Sequence, residues 1–249
     1  MSLPKPNWGW ASLPVLLLIW VALASRFPTY ILPQPWDVAR EAVRWLGDGS
    51  LWQHLRASVL EELGGFCAAV VVAVVLGTAG GLSARFRDFS SPLNSLFMAI
   101  PPIAWAPLIM IIFGLGYVSI VLVIFIAAMF PMAVTIQEGV QSIRGGEVRA
   151  ARTLGANAWQ LLAHVYLPAS LPFVTAALRI GFSQGWRALV AAEMIGASQG
   201  IGWMVSTGGQ IGNSSQVLLG IVVIGLIAWL MESFVFRRIE RHYQKWRVQ

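Results

Sequence analysis

The segment EVRAARTLGANAWQLLAHVYLP, residues 147–168, is a short polar stretch inside a chain that is otherwise mostly apolar. If it is helical, small and apolar side chains recur every three or four residues on one face. These residues are Ala151, Leu154, Ala158, Leu161 and Leu162. Gly155 interrupts the helix, and Leu167-Pro168 is expected to end it before the next apolar run. The pattern predicts a small amphipathic helix between two membrane spans, shaped to dock into a partner protein.

The composition of the chain is that of a membrane protein. Of its 249 residues, 57% are hydrophobic and only 11% are charged, whereas soluble chains are about one-quarter charged. The mean hydropathy is +0.70. We attribute the net charge of +6 to cytoplasmic loops that meet anionic headgroups, and not to nucleic acid. We therefore expect an all-α integral membrane domain over 1–249, in contact with the lipid bilayer.

Six apolar runs predict six transmembrane helices. We expect them at about 11–25, 63–82, 93–113, 118–136, 169–193 and 217–236. A cleaved signal peptide is the alternative for the first run, because Ala22-Leu-Ala24 resembles a cleavage site. Five further runs favour a retained span. The amphipathic segment 30–58 is interpreted as interfacial helices on the outer surface, packed against the outer ends of the spans.

The distribution of basic residues predicts the orientation. With six spans, both termini and the loop 138–168 between spans four and five lie on the same side of the membrane. Most of the basic residues outside 30–58 fall on that side: Lys5, Arg85, Arg87, Arg144, Arg149, Arg152 and the tail after Arg237. By the positive-inside rule this side is the cytoplasm. The docking segment is therefore expected to be cytoplasmic.

Glycines and prolines mark special positions in the second and third spans. Gly77 and Gly81 are four residues apart, which allows another helix to cross closely in lipid. Pro101, Pro102 and Pro107 break the third span at mid-membrane, which is tolerated only against protein or a water-lined cavity. Pro101, Pro102 and Trp105 are gate candidates, and helix packing explains them equally well.

Three ionisable residues, Arg179, Arg187 and Glu193, lie in or at the fifth span. Each is costly against lipid, so we expect them to face the bundle interior and to be paired. The functional interpretation is a substrate path in which Arg187 attracts an anion and Glu193 braces a gate. The structural alternative is an interior ion pair that fixes helix register.

For other polar residues of the spans, the sequence predicts less specific roles. Ser183, Gln184 and Trp186 would line the same path or form hydrogen bonds between helices. Glu232, near the inner end of the sixth span, is expected to meet headgroups or the following arginines, Arg237 and Arg238.

Nothing in the sequence predicts catalysis or metal binding. His54, His164 and His242 lie in different segments without metal-ligand spacing. The chain also lacks a Gly-x-x-x-x-Gly-Lys-Ser/Thr phosphate cradle. An energised pump built on this chain would therefore need a separate ATPase subunit, docked on the polar segment.

The same segment resembles the coupling loop of permease subunits of binding-protein-dependent ABC importers. That family pattern is Glu-Ala-Ala, three residues, Gly, nine residues, Ile, any residue, Leu-Pro. Five residues fall on it with the spacing intact: Ala150, Ala151, Gly155, Leu167 and Pro168. Val165 replaces Ile. Arg149 stands at the position of the family's Glu, and the nearest acid is Glu147. The resemblance implies that these residues contact the ATPase.

Further stretches resemble the nitrate, taurine and aliphatic sulfonate branch of that family. They are Pro102–Leu108, Phe113–Gly116, Gly185-Trp186, Val190–Glu193 and Gly200–Gly202. The resemblance implies a type I importer fold in the bacterial inner membrane and a homodimer. It also implies two ATP-binding subunits that hold ATP and Mg, and an external solute-binding protein. The implied substrate is a small oxyanion, with a thiamine-precursor-like organic molecule as the alternative.

Two other classes of function remain as alternatives. An ATP-independent channel or secondary carrier would not need a docking helix, so the segment 147–168 argues against it. An integral-membrane enzyme would need a cluster of His, Asp or Glu near one membrane face, which the sequence does not show. The sequence thus favours a transport subunit without a catalytic site of its own.

Overall fold

The computed structural model describes residues 12–143 and 145–239, with the side chain of Glu147 excepted. The predictions for Lys5, Arg144, His242 and the basic tail lie outside the described residues, as does the role of the Glu147 side chain. The cytoplasmic placement of the two termini stays a prediction.

The described residues form helices and no strand, which confirms the all-α fold. The α-helices are α1 Ser12–Ala24, α2 Pro35–Gly47, α3 Ser50–Leu82, α4 Ala84–Ala99, α5 Ala106–Phe113, α6 Tyr117–Gln141, α7 Gly145–Thr153, α8 Ala158–Leu161, α9 Leu167–Gly196, α10 Ile201–Gln210 and α11 Ser214–Leu230. A 3₁₀ turn, Pro102–Trp105, precedes α5. π-helical turns join α8 to α9 at Leu162–Tyr166 and extend α11 at Met231–Phe236.

Four helices in the described part of the chain are long and apolar enough to cross a membrane. They are Ser50–Leu82, Tyr117–Gln141, Ala158–Gly196 and Ser214–Ile239. A bent pair, Ala84–Ala99 with Pro102–Phe113, makes a fifth if both halves form one span. The predicted six spans are therefore not confirmed. Within the described residues, the first apolar run forms the 13 residues of α1, or about 20 Å of helix against a hydrocarbon core of about 30 Å.

The amphipathic segment 30–58 divides into two parts that belong to different helices. Pro35–Gly47 forms the separate helix α2, which Pro35 starts and Asp37 caps through the Gln34 amide at 3.2 Å. Residues from Ser50 onward are the first turns of α3, which runs 33 residues without a break. The expectation of a second interfacial helix there is wrong, because nothing after Gly49 interrupts the helical periodicity before Leu82.

The prolines of the third predicted span break the helix where expected. α4 ends at Ala99, Ile100 adopts extended backbone, and the two halves meet at 89°. Because Pro101 and Pro102 provide no backbone N–H, α4 cannot continue through them. Pro131 in α6 causes no such break, since α6 is continuous from Tyr117 to Gln141.

The bundle core is built on α6, which packs between α3 and α9. Its buried face consists of medium-sized and small side chains, such as Ile124, Ala128 and Met132. The predicted close crossing at Gly77 is confirmed, because a Cβ atom there would lie 2.7 Å from the Ala133 carbonyl oxygen. α10 packs against α9, and α11 packs against α10 and α2.

One predicted helix boundary is wrong. Leu167-Pro168 does not end the helix of the docking segment, because Ala158–Gly196 runs as one 39-residue helix. The π-helical turn Leu162–Tyr166 directly precedes Pro168. The wider turn accommodates a ring that lacks an N–H and would clash with the preceding turn of a regular α-helix.

Candidate functional site

The segment 147–168 folds into most of the short helix α7 and the first turns of the long helix Ala158–Gly196, with a sharp turn at Gly155 between them. Gly155 has a φ of +85°, and its N–H donates to the Arg152 carbonyl at 2.9 Å. The Ala156 N–H donates to the Ala151 carbonyl at 3.1 Å. This is the helix-ending pattern that glycine favours in the left-handed region. The amide groups of α8 are then capped by Asn157, which accepts from Gln160 at 2.8 Å.

The turn redirects the apolar side chains of this segment. Leu154 is 89% exposed and Trp159 is 71% exposed, whereas Leu161 is buried. The single continuous face predicted for Leu154 and Leu161 is therefore wrong, because Gly155 reverses the chain between them. The result is a protruding corner with a large aliphatic and a large aromatic side chain at its tip. Such exposed apolar groups are typical of a protein-binding surface.

The family-pattern residues lie around this corner. Ala150 is exposed on α7, and Ala151 is half-buried. Arg149 is exposed and lines a hollow together with Arg87, Tyr166 and the end of α3. Leu167 is 45% exposed at the start of α9.

Four of the predicted path residues lie together. Ser183, Gln184, Trp186 and Arg187 line an open groove of about 760 Å³ between α9 and α11. Arg187 is exposed and donates to the Ser183 hydroxyl at 3.1 Å. Trp186 is buried and donates to the Ile224 carbonyl at 3.3 Å. The expectation that Arg187 is buried inside the bundle of one chain is wrong.

An ion pair lies at another part of the same groove. Arg179 bonds to both carboxylate oxygens of Glu232, with Nε to Oε2 at 3.0 Å. Glu232 therefore pairs with Arg179 and not, as expected, with Arg237 or Arg238. The pair joins α9 to the π-helical turn after α11. Arg187 thus remains the groove cation without a carboxylate partner among the described residues.

The proline break contributes to a second, smaller cavity. Pro102, Phe130, Gln184 and other residues of α4, α6 and α9 line about 300 Å³. Gln184 lies in both the groove and this cavity. Trp105 stacks on Phe97 at 5.4 Å between ring centroids, and its indole N–H has no hydrogen-bond partner. Pro101 is exposed and lines neither space.

Glu193 lies apart from the groove, in a buried polar network. Its Oε1 accepts from the Ser58 hydroxyl at 2.5 Å, and its Oε2 accepts from the Gly202 N–H at 2.5 Å. The Ser58 Oγ also accepts from the Ile201 N–H at 2.8 Å. Carboxylates are favourable at a helix N-terminus, so Glu193 ties α9 and α3 to the start of α10. This geometry favours a structural role for Glu193, through hydrogen bonds from Ser58 and Gly202 and not through the ion pair that was expected.

Sequence reasoning did not assign His54, Ser58, Glu61 or Glu62 to this network. His54 accepts from the Gly200 N–H at 3.0 Å and stacks on Trp203. Glu61 and Glu62 are 7% and 2% exposed. The available signal was the unbroken helical periodicity from residue 50 onward, which places these polar side chains on the first turns of α3. In the described residues no group of three or more His, Cys, Asp or Glu is arranged to hold a metal ion.

Comparisons with known proteins identify the family to which this helical chain belongs. The chain is 38% identical over 242 residues to the taurine transport system permease protein TauC of Escherichia coli. The match covers 94% of this chain and 88% of that protein. The putative aliphatic sulfonates transport permease protein SsuC of Bacillus subtilis is 29% identical, with 99% and 95% covered. The nitrate import permease protein NrtB of Leptolyngbya laminosa is 30% identical, with 89% and 82% covered.

A solved structure shares the fold. The inward-facing MetNI methionine ABC transporter matches with a TM-score of 0.66 at 23% identity, over 82% of this chain and 98% of that one. The protein is thus the permease component of an ABC importer. Residues 68–248 match the binding-protein-dependent transport system inner membrane component, and the chain belongs to that family. Within it, the similarities place the chain in the taurine, sulfonate and nitrate branch.

Proposed function

We propose that two copies of this chain form the translocation path of an ATP-driven importer for a small oxyanion. A solute-binding protein delivers the substrate from outside, and two ATPase subunits dock on the corner around Leu154 and Trp159. ATP and Mg are held by those subunits, since the chain has no phosphate cradle.

The observation that carries the proposal is the continuity between the corner and the groove. Residues Ala158–Gly196 form one helix, with Trp159 near its start and Arg187 in the groove. At 1.5 Å per residue, the two are separated by about 42 Å along the helix. A displacement of the corner by a partner is therefore transmitted to the groove by a single rigid element.

The groove supports an anionic substrate. Arg187 supplies a guanidinium without a carboxylate partner among the described residues, and Ser183 and Gln184 supply further polar groups beside it. Guanidinium groups bind planar and tetrahedral oxyanions through charge-assisted hydrogen bonds. The names of the three relatives, which refer to taurine, aliphatic sulfonates and nitrate, agree with this chemistry. A thiamine-precursor-like molecule is the alternative substrate, and an ATP-independent channel or carrier is the alternative function.

The proposal is tested by purifying the chain with its ATPase subunit in lipid nanodiscs. ATP hydrolysis is measured with and without a loaded binding protein. We expect stimulation by the binding protein that carries the transported oxyanion. Failure of any ATPase subunit to co-purify would overturn the proposal and favour the channel or carrier.

A pair of glycine variants isolates the docking step. Gly155→Glu should abolish ATPase co-purification and uptake while the protein remains in the membrane. Gly212→Glu is the matched control, because Gly212 also has a positive φ of +72° and open space around its Cα. It precedes Asn213, which contacts Glu41 of α2 far from the corner. Normal uptake by Gly155→Glu would contradict the docking step.

A further inference from the structure

The hollow beside the docking segment collects positive charge from two helices. It has a volume of about 530 Å³ and lies between the ends of α3 and α6 and the start of α7. Arg87 of α4 and Arg149 of α7 both line it, together with Tyr166. No described acidic residue belongs to its wall. The hollow therefore presents two like charges that no described wall residue balances.

Both guanidinium groups are available to a ligand. Arg149 is exposed, and its side chain forms no hydrogen bond or ion pair with a described residue. The Arg87 side chain is 36% exposed and has one long ion pair, from Nε to Oδ1 of Asp88 at 3.8 Å. Asp88 is 78% exposed and does not line the hollow. Since a pair so open to water contributes little, the charge of Arg87 remains available to an anion.

The hollow lies where two candidate membrane spans end. α3 ends at Leu82 and α6 ends at Gln141, and both residues belong to the wall. The two ends are in close contact, because a Cβ atom on Gly81 would overlap the side chain of Val140. α6 has 25 residues, or about 37 Å of helix against a hydrocarbon core of about 30 Å. Its last turn therefore lies in the headgroup layer of a bilayer that it crosses.

The rest of the wall is apolar or aromatic. Leu82, Val140, Ile143 and Val148 provide aliphatic side chains. Tyr166 packs on the core between α3 and α6 and also lines the hollow, and tyrosine is enriched at membrane–water interfaces. A soluble anion would contact the arginines but would leave the aliphatic wall uncovered. Two cations beside an aliphatic wall at headgroup level match a phospholipid.

We propose that this hollow binds the headgroup of an anionic phospholipid such as phosphatidylglycerol. The lipid phosphate accepts charge-assisted hydrogen bonds from Arg87 and Arg149, and the glycerol esters and first acyl carbons contact the aliphatic wall. Because Arg149 belongs to the docking segment, the bound lipid joins that segment to the membrane-crossing helices. Phosphatidylcholine carries the same phosphate but adds a quaternary ammonium group, which the two arginines repel.

The direct test is lipid binding to the full-length chain, measured by native mass spectrometry in a neutral detergent. Phosphatidylglycerol and phosphatidylcholine with identical acyl chains are titrated separately. We expect phosphatidylglycerol to bind about twentyfold more tightly, because each of two arginines near an anionic lipid contributes about a factor of five. Equal affinities would overturn the proposal.

A soluble headgroup separates lipid from free phosphate ester. Glycerophosphoglycerol is the headgroup of phosphatidylglycerol without acyl chains. At equal concentration it should not displace the lipid, because it cannot cover the aliphatic wall. Displacement would show a site for soluble phosphate esters and would overturn the lipid assignment.

Variants assign the two charges. Arg87→Gln and Arg149→Gln should each lower the affinity for phosphatidylglycerol about fivefold and leave that for phosphatidylcholine unchanged. Arg85→Gln is the matched control, because Arg85 is exposed on the same helix as Arg87 and does not line the hollow. An equal loss in Arg85→Gln would show diffuse attraction without a site, and unchanged affinity in both hollow variants would also contradict the proposal.

An acidic side chain of a docked ATPase is the competing occupant. In that case Arg149→Gln would weaken ATPase association in phosphatidylcholine nanodiscs, whereas the affinity of the chain for phosphatidylglycerol would not change. This pair of results would overturn the lipid site.

Discussion

The two ends of the bundle are built in opposite ways. At the end where α9 meets α10, His54, Ser58 and Glu193 accept or donate hydrogen bonds that join three helices, and these side chains are buried. At the end that carries the segment 147–168, Leu154 and Trp159 are largely exposed. One end is therefore tied together by buried hydrogen bonds, although the neighbouring Glu61 Oε2 and both Glu62 oxygens have no hydrogen-bond partner among the described residues, and the other end exposes large apolar side chains.

This difference indicates that the corner around Leu154 and Trp159 moves more easily than the network around Glu193. Local stability rises with buried apolar contacts and satisfied polar groups, and segments that move are drawn from the less stable parts. The long helix Ala158–Gly196 spans both environments, with its first turn at the corner and Glu193 near its end. In the proposed importer, a displacement of the corner by the ATPase would therefore act against a fixed point at Glu193.

The largest expected effect comes from breaking the fixed end. Glu193→Ala leaves the Ser58 hydroxyl and the Gly202 N–H buried without their acceptor, so we expect a loss of about 3 kcal/mol in the free energy of unfolding. Thermal unfolding in nanodiscs measures it, with Glu193→Gln as the conservative variant that keeps one acceptor. An unchanged unfolding temperature for Glu193→Ala would show that the network does not hold the three helices together.

The next largest effect is expected at the corner around Leu154 and Trp159. Trp159→Ala should leave thermal unfolding unchanged, because the side chain is 71% exposed, and should weaken ATPase association by about 2 kcal/mol, or about thirtyfold. Titration of the ATPase subunit onto the purified permease measures this affinity. Trp36→Ala is the matched control, since Trp36 is 50% exposed on α2. Equal weakening of the ATPase affinity in both variants would show that the corner is not the docking surface.

The groove between the two ends gives a smaller effect. Arg187→Ala should lower the rate of oxyanion uptake about tenfold, the value of one charge-assisted hydrogen bond, while assembly with the ATPase remains normal. Arg187→Lys should restore part of the rate because it keeps the charge. If Arg187→Ala instead prevents assembly, the residue is structural.

The smallest effect concerns the start of α3. The Ser50 N–H donates to Asp48 at 2.8 Å, and the Ser50 hydroxyl also bonds to it. These hydrogen bonds hold the pKa of the exposed Asp48 carboxyl below its usual value. Because the pKa is lower in the folded state, the ionised carboxylate stabilises the folded protein at pH values above the unfolded-state pKa of about 3.9. This stabilisation is lost as the pH falls through the folded-state pKa. Asp48→Asn should therefore unfold at a slightly lower temperature than the parent at pH 7 and at the same temperature at about pH 2. Thermal unfolding curves of both proteins at the two pH values measure this difference.

Much of this organisation was predictable from local sequence. The break at Pro101-Pro102 follows from missing N–H groups, the turn at Gly155 from the freedom of glycine, and the family from the spacing between Ala150 and Pro168. The clustering of Ser183, Gln184 and Arg187 is a prediction from spacing on one helix, and the groove brings them together.

The wrong predictions have physical causes that the local sequence pattern does not show. Leu167-Pro168 was expected to stop a helix, yet a π-helical turn precedes the proline and the helix continues. The partner of Glu232 is Arg179, 53 residues earlier, and no local spacing identifies such a pair.

The sequence by itself determined the apolar and helical character of the chain, the helix break at Pro101-Pro102 and, through the spacing within 147–168, the family. These depend on composition and on groups near each other in the chain, such as proline rings, glycine backbone and apolar runs. Only the tertiary structure decided that Glu193 anchors α10, that Arg187 faces an open groove, and that Arg87 and Arg149 line one hollow. Those facts depend on which faces of α3, α6, α9 and α11 meet, and that is fixed by packing between segments distant in the chain.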